Sequence, residues 1–404
     1  MASKVSLSEL YASSCSEHHV QINPHILEVL ENALLNKNVT LDLSGSRKRV
    51  QRLDDKDALV VSKCLRNNRR VTGLDVSYNN ITDEGVKHFA DLLQDDSTLN
   101  SLDLRFNDCQ TDGAKALAKI LQGNSTLFSL TLSGNKIGDS GGIQLAMMLQ
   151  ANDSLMELEL AACDLGIESI ITFANVLKSN RSLRRVDFSQ SLLTSHQEEW
   201  LLHVSDMLAM NSSLLELHLG MAGMTDTGME RLAEGLAANR ALRYLDLRCN
   251  RLSCDGASHL AGVLKENATL DVIDLSFNRI QNGGAVHMSE ALASPGCGLR
   301  ALSVSSNSIG TDGLLSLAQA VKANRTLTDI NIWGNDLDEP VCQVFRQLIR
   351  SGRLPPDKTD VTPFETDGRV FLAELSNSLN KYRRPINGAP PHIATHKRVN
   401  RASF

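Results

Sequence analysis

The stretch Leu270-Asp-Val-Ile273-Asp-Leu275-Ser-Phe-Asn278-Arg-Ile280 decides the fold. Apolar residues at its first, fourth and sixth positions enclose a polar fifth, the period-two alternation of a strand with one buried face. Asn follows at the ninth position. A buried Asn amide can both donate to and accept from loop backbone groups, and stacked copies can repeat the bond. Ile280 then anchors the loop. The same phrase recurs, for example as Val71-Thr-Gly-Leu74-Asp-Val76 and Leu99-Asn-Ser-Leu102-Asp-Leu104. Units start at Val71, Leu99, Leu127, Leu155, Leu183, Leu214, Leu242, Leu270, Leu299 and Leu327, with spacings of 28, 28, 28, 28, 31, 28, 28, 29 and 28 residues. A degenerate unit around Leu41 and Leu43 begins the array.

The second half of each unit predicts a helix. Capping oxygens stand near its start, as in Thr-Asp-Glu-Gly85 and Thr-Asp-Gly313. Apolar residues follow at helical spacing: Leu117, Ile120 and Leu121, or Leu260, Val263 and Leu264. Pro is absent from His25 to Ser294, which suits an uninterrupted array. One strand and one helix per unit imply an α/β solenoid, a horseshoe with a parallel sheet inside and helices outside. No unit can bury its apolar face alone, so neighbours stabilise one another.

The ends read differently. Residues 1–20 are expected to be disordered and 21–37 to form a capping helix with Ile26, Leu27, Leu30 and Leu34 on one face. The array fills 38–350. Residues 351–382 are a C-terminal cap in which Asp367-Gly368 turns a hairpin or a strand–turn–helix. The segment 383–404 holds three Pro and little to bury, and is expected to be disordered. Net charge is −6, but Lys381 to Phe404 carries six Lys/Arg and no acid, so the body is acidic and the tail basic. No export signal or apolar run of about 20 residues is present, so the eight scattered Cys are expected to be reduced thiols inside the cell, with no membrane partner. Several Asn, among them Asn38, Asn180, Asn267 and Asn324, match the glycosylation pattern. Their recurrence at helix ends predicts instead a left-handed cap.

Catalytic chemistry is not visible. There is no GxxxxGK[ST] loop, the eleven His are dispersed, and His18-His19 have no metal-spaced partners. Cys163 stands where the ladder Asn belongs, and His218 reads as an exposed strand residue. No metal or cofactor is expected, and the chain is not expected to be an enzyme.

What remains is surface. The fifth position faces the concave side and reads Asp75, Asp103, Thr131, Glu159, Asp187, His218, Asp246, Asp274, Ser303 and Asn331. This acidic meridian has two readings: a consensus feature of the repeat, or a strip that docks basic segments. Arg105, Phe106, Phe128, Arg184, Arg185, Tyr244, Arg248, Phe277 and Trp333 flank it as interface-type residues. A second candidate is the 31-residue unit, where Cys163, Ser191 and Ala222 break the Asn ladder in succession. It predicts an irregular central loop carrying Gln197, Glu198, Glu199 and Trp200. The basic tail reads either as a solubilising end or as a nuclear-import or RNA-contact patch. Without aromatic stacking platforms, specific nucleic-acid recognition is not expected.

The pattern LxxLxLxxNxI plus a full helix in about 28 residues resembles the ribonuclease-inhibitor-like class of leucine-rich repeats. The resemblance covers about Val39 to Arg350. It implies a protein-binding horseshoe, in a class that also includes enzyme inhibitors and an activator of a small GTPase. An activator of that kind would carry an acidic tail, whereas this chain ends basic. Segments outside the consensus narrow the resemblance: Ile22 to Leu27, Gln197-Glu-Glu199, Ile332-Trp-Gly-Asn335 and above all Thr359 to Lys381. They are similar to one family of non-enzymatic leucine-rich-repeat proteins of germ and stem cells. That family implies residence in the nucleus, including the nucleolus, and in the cytoplasm, with nucleolar protein partners.

Overall fold

A computed structural model of the chain describes residues 6–33, 38–46, 50–66, 68–95, 98–193 and 198–382. Within them one parallel sheet of eleven strands runs in chain order: β1 (Val39–Asp42), β2 (Val71–Asp75), β3 (Ser101–Asp103), β4 (Ser129–Thr131), β5 (Glu157–Glu159), β6 (Arg185–Asp187), β7 (Glu216–His218), β8 (Tyr244–Asp246), β9 (Val272–Asp274), β10 (Ala301–Ser303) and β11 (Asp329–Asn331). The register is constant from β2 to β11, so Leu74, Leu102, Leu130 and Leu158 form one column and Leu217, Leu245, Ile273 and Leu302 continue it. These side chains are buried against the helices, as are the sixth-position residues from Val76 to Ile332.

Two helices precede the array, α1 (Leu7–Glu17) and α2 (Pro24–Asn32). One helix then follows each strand: α3 (Asp55–Leu65), α4 (Asp83–Asp95), α5 (Thr111–Leu121), α6 (Gly138–Met148), α7 (Ile167–Leu177), α8 (Trp200–Met210), α9 (Asp226–Ala238), α10 (Cys254–Glu266), α11 (Gln281–Ala293), α12 (Thr311–Ala323) and α13 (Glu339–Arg350). Their caps are built between units. Asp226, in the first turn of α9, accepts from the backbone amides of Ser253 (2.7 Å) and Gly256 (3.0 Å) at the start of α10. Asp55, Asp139 and Asn282 do the same one unit further on. These bonds between units add to local caps such as that of Asp54, which accepts from the amides of Lys56 and Asp57.

The Asn ladder is present. Asn250 donates to the carbonyls of Leu219 and Leu247 (both 2.9 Å) and accepts from the amides of Ala222 (3.1 Å) and Met224 (3.0 Å). A second Asn ladder ends the helices. Asn239 donates to Leu208 and Asn211 of the previous unit and accepts from the amides of Ala241 and Leu242. Asn267 and Asn324 occupy the same place with extended backbone, not the expected left-handed one. Asn38 alone of the four named adopts that conformation, with φ 60°. The residue type is selected by a bond between units rather than by a backbone twist.

The N-terminus corrects an expectation. Residues 7–17 are not disordered. Ser6 and Glu9 form a reciprocal capping box, and Leu7, Tyr11 and Cys15 are buried along one face. The Tyr11 hydroxyl accepts from the amide of Asn23 (3.1 Å), and the Cys64 thiol donates to the Leu7 carbonyl (3.3 Å). The capping box and the spacing of four between apolar residues were the signals for this helix.

At the other end β12 (Val361–Thr366) and β13 (Arg369–Glu374) form an antiparallel hairpin. Asp367 and Gly368 both have positive φ (52° and 74°), as a two-residue hairpin turn requires. Asp360 accepts from the amides of Ile332 and Trp333, which closes the last strand. Beyond the hairpin the chain does not leave the array. Residues 375–382 return over the concave face and end in a 3-10 turn, Leu379–Tyr382. The basic tail from residue 383 lies outside the described residues.

Candidate protein-binding surface

Two residues of each strand point to the concave side, the third and fifth of the unit, and the seventh follows at the strand exit. The fifth-position Asp has a structural task. Asp75, Asp103, Asp187, Asp246 and Asp274 each accept a hydrogen bond from the amide two residues on, at 2.8–3.0 Å. This short Asx turn bends the chain out of the strand, and it is the physical reason for Asp at this place. Curvature also crowds the inner wall. Asp103, Asp246 and Asp274 are buried, which removes them from the expected exposed meridian; Asp75, Glu159 and Asp187 are half-buried.

Burial changes their charge. It pushes Asp103 up to about 7 even though Arg105 lies 2.5 Å away and pulls the other way. It pushes Asp274 up too, reinforced by the neighbouring Asp246 charge. Burial also works against Asp246, but the hydrogen bond from His218, with Arg248 at 2.8 Å, outweighs it and holds this carboxyl down. His218 itself is buried, 3.3 Å from Asp246 and ring-to-ring 5.0 Å from Tyr244, so it is not the exposed residue expected.

The third position holds a feature that only stacking brings together. Glu157, Arg185 and Glu216 stand side by side on β5, β6 and β7, and all are buried. The Arg185 guanidinium bonds Glu216 through Nε (2.5 Å) and Nη2 (2.9 Å) and Glu157 through Nη1. Ser129 donates to Glu157 (2.9 Å). Burial alone would push Glu216 up; the His218 ring at 3.9 Å, the hydrogen bonds from Arg185 and the Arg185 charge reverse this and leave it at about 2. An unfolded Glu titrates near about 4.3. Its stabilising contribution is therefore complete above that value and is lost as pH falls towards about 2. In acid unfolding followed by circular dichroism, Glu216→Gln is expected to flatten the fall in stability across this window relative to the parent chain. An unchanged slope would refute the assignment.

The predicted flanking residues divide between two places. Arg105 and Arg248 stand at the strand exits beside Asp103 and Asp246, as above. Phe106 and Phe277 lie on the rim, at the eighth position, where the chain is left-handed (φ 52° and 60°). Both are exposed. Phe106 stacks on Tyr78 at 4.7 Å, and a Cβ at Gly134, the next residue in the row, would meet the Phe106 ring at 2.5 Å. Trp333 is half-buried at the last strand.

Tyr244 is covered. With Val272, Ala301 and Leu379 it forms a small apolar cluster, and Tyr382 packs against it. Asn377 donates to Asn331 (3.0 Å), Lys381 pairs with the buried Asp329 (2.6 Å), and the Tyr382 hydroxyl donates to the same carboxylate. The chain's own residues 375–382 therefore occupy the concave face over β8–β11. No pattern in the repeats announced this; the apolar Leu379 and Tyr382 in an otherwise polar run were the one local signal.

The central loop also resolves into parts. Gln197 lies outside the described residues. Glu198 is buried and takes the inter-unit capping place of Asp226 and its equivalents, accepting from the Thr225 amide and hydroxyl (both 2.7 Å). Trp200 is in the core at 1% exposure. Glu199 is exposed. Two of the four expected contact residues thus serve the scaffold, and the longer Glu reaches where Asp would elsewhere. Cys163 fills the ladder place by donating to the Leu132 carbonyl (3.2 Å), and Ser191 by donating to Phe188 (2.6 Å).

Among the described residues no group of His, Cys, Asp and Glu is placed to hold a metal ion, and no helix is long and apolar enough to cross a membrane.

The repeats match a known family model, and curated relatives share most of the chain. The family model for the leucine-rich repeat matches residues 67–90, 96–118, 123–146, 211–233, 238–261, 266–289 and 298–318. Among solved structures, similarity extends to an internalin of Listeria monocytogenes (TM-score 0.43, 14% identity, 89% of this chain and 95% of that one). It extends also to actin-binding site 2 of leiomodin-1 (TM-score 0.32, 22% identity, 39% and 88%). Among curated relatives, leucine-rich repeat-containing protein 34 of Homo sapiens is 56% identical over 384 residues, 93% of this chain and 83% of that protein. The Rattus norvegicus protein of the same name is 50% identical over 93% of this chain and 92% of its own length. The repeats, the hairpin cap and these identities together place the chain in the leucine-rich repeat-containing protein 34 family.

Proposed function

We propose that this chain is a non-enzymatic protein-interaction scaffold whose concave surface over β5–β7 receives basic segments of partner proteins. The observation that carries the reading is the pairing of Glu159 with Asp187 on adjacent strands, both half-buried, above the small seventh-position residues Ala161, Ser189 and Gly220. Parallel strands lie about 4.8 Å apart, so the two carboxylates present one acidic step on a floor with room for a chain. The setting, nuclear and nucleolar processes of germ and stem cells, follows from the family resemblance. Nucleolar proteins rich in Lys and Arg suit such a surface.

The test uses fluorescein-labelled octa-arginine as the probe. Glu159→Lys combined with Asp187→Lys is expected to weaken binding about tenfold or more at low salt, and less near 0.15 M, where the screening length is about 8 Å. The far-ultraviolet circular dichroism should stay close to that of the parent, since both residues are only half-buried, although Asp187→Lys removes the turn bond to the Ser189 amide. Equal affinity of variant and parent at low salt would defeat the proposal.

A further inference from the structure

We propose that the segment following Tyr382, starting with Arg383-Arg384, continues along the concave groove and is the resident occupant of the β5–β7 surface, which a partner must displace. The inference rests on the reading of that surface given above. Its basis is the segment already seated there. Leu379 fills the cluster of Tyr244, Val272 and Ala301, and Lys381 and Tyr382 are tied to Asp329. Tyr382 forms one wall of a small cavity whose other walls include Leu215, Glu216, Arg243 and Tyr244. The described chain therefore ends over β8–β11, beside a cavity whose lining extends to Leu215 and to Glu216 of β7.

Charge favours continuation. Over these three strands the third and fifth positions hold Glu157, Glu159, Asp187 and Glu216 against Arg185, a net −3 with His218 counted as neutral. The segment 383–404 holds Arg383, Arg384, Lys397, Arg398 and Arg401 and no acid. Room favours it too over β5 and β6, where the seventh position is Ala161 and Ser189, while the Arg248 side chain borders the next place, where a Cβ at Gly220 would meet its Cγ at 3.2 Å. Reach is ample. From β9 to β5 is four strand spacings, about 19 Å, and six extended residues cover about 20 Å. Tethering sets a local concentration on the order of millimolar, so even a weak intrinsic affinity keeps the groove substantially filled. A competing basic segment then binds with an affinity reduced by the fraction of molecules left open.

The test compares the full chain with a chain ending at Tyr382, using two probes: labelled octa-arginine, and a labelled peptide of residues 383–404. Octa-arginine is expected to bind the shortened chain about threefold or more tightly than the full chain at low salt. The peptide should bind the shortened chain in trans and lose that binding on Glu159→Lys with Asp187→Lys. In the full chain, Tyr382→Ala with Lys381→Met should move octa-arginine affinity towards that of the shortened chain. Measurable and equal octa-arginine binding by both chains overturns the inference while leaving the surface reading intact. Peptide binding that survives the charge changes overturns the assigned site. If octa-arginine binds neither chain, the surface reading fails, and peptide binding that the charge changes abolish would still support the tail's place.

Discussion

Arg185→Met is expected to lower the unfolding free energy by about 3–5 kcal/mol, among the largest effects of any single change on the concave face. The side chain is buried between Glu157 and Glu216 and bonds both. Removing it leaves two carboxylates in one poorly hydrated place with like charge between them. The expected cost is that of the uncompensated charges, not the net worth of the ion pairs. The triple change Glu157→Gln, Arg185→Met, Glu216→Gln removes all three charges and is therefore expected to recover most of the loss. Urea unfolding of the parent, single and triple variants checks this. A single-variant loss under about 1 kcal/mol, or a triple variant no better than the single, would show that the triad is hydrated and weakly coupled.

Asn250→Ala is expected to cost about 3 kcal/mol, since one side chain serves four buried backbone groups and each group left unsatisfied costs about 1 kcal/mol or more. Asn250 serves the amides of both Ala222 and Met224, as Asn335 serves those of Asn307 and Ile309. By contrast, Ser191→Ala removes one bond to the Phe188 carbonyl and is expected to cost about 1 kcal/mol. Amide hydrogen exchange should show the Asn250 loss concentrated at Ala222 and Met224. Equal costs for the two substitutions would contradict a ladder graded by bond number.

The repeat was legible because its signal is redundant. Leucines at the first, fourth and sixth positions and Asn at the ninth recur at nearly constant spacing, and each carries its reason in its chemistry. The N-terminal helix was equally written, in Ser6, Glu9 and the Leu7–Tyr11–Cys15 spacing, but at a single copy without a repeat to expose it. The helix-end Asn residues are visible in the sequence but their cause is not, because their partners lie in the preceding unit.

The candidate surface was legible in composition and not in exposure. The sequence determined by itself that acidic residues recur at the fifth position, because alternation along a strand is a local property. Whether such a residue meets solvent depends on strands 28 residues away, on curvature and on what lies across the face. Stacking alone placed Arg185 between Glu157 and Glu216, buried Asp246 beside His218, and gave Glu198 a capping role in the next unit. The return of residues 375–382 over β8–β11 was likewise decided in three dimensions. An apolar Leu379 and Tyr382 need a site, but only the assembled array of Tyr244, Val272, Ala301 and Asp329 supplies one.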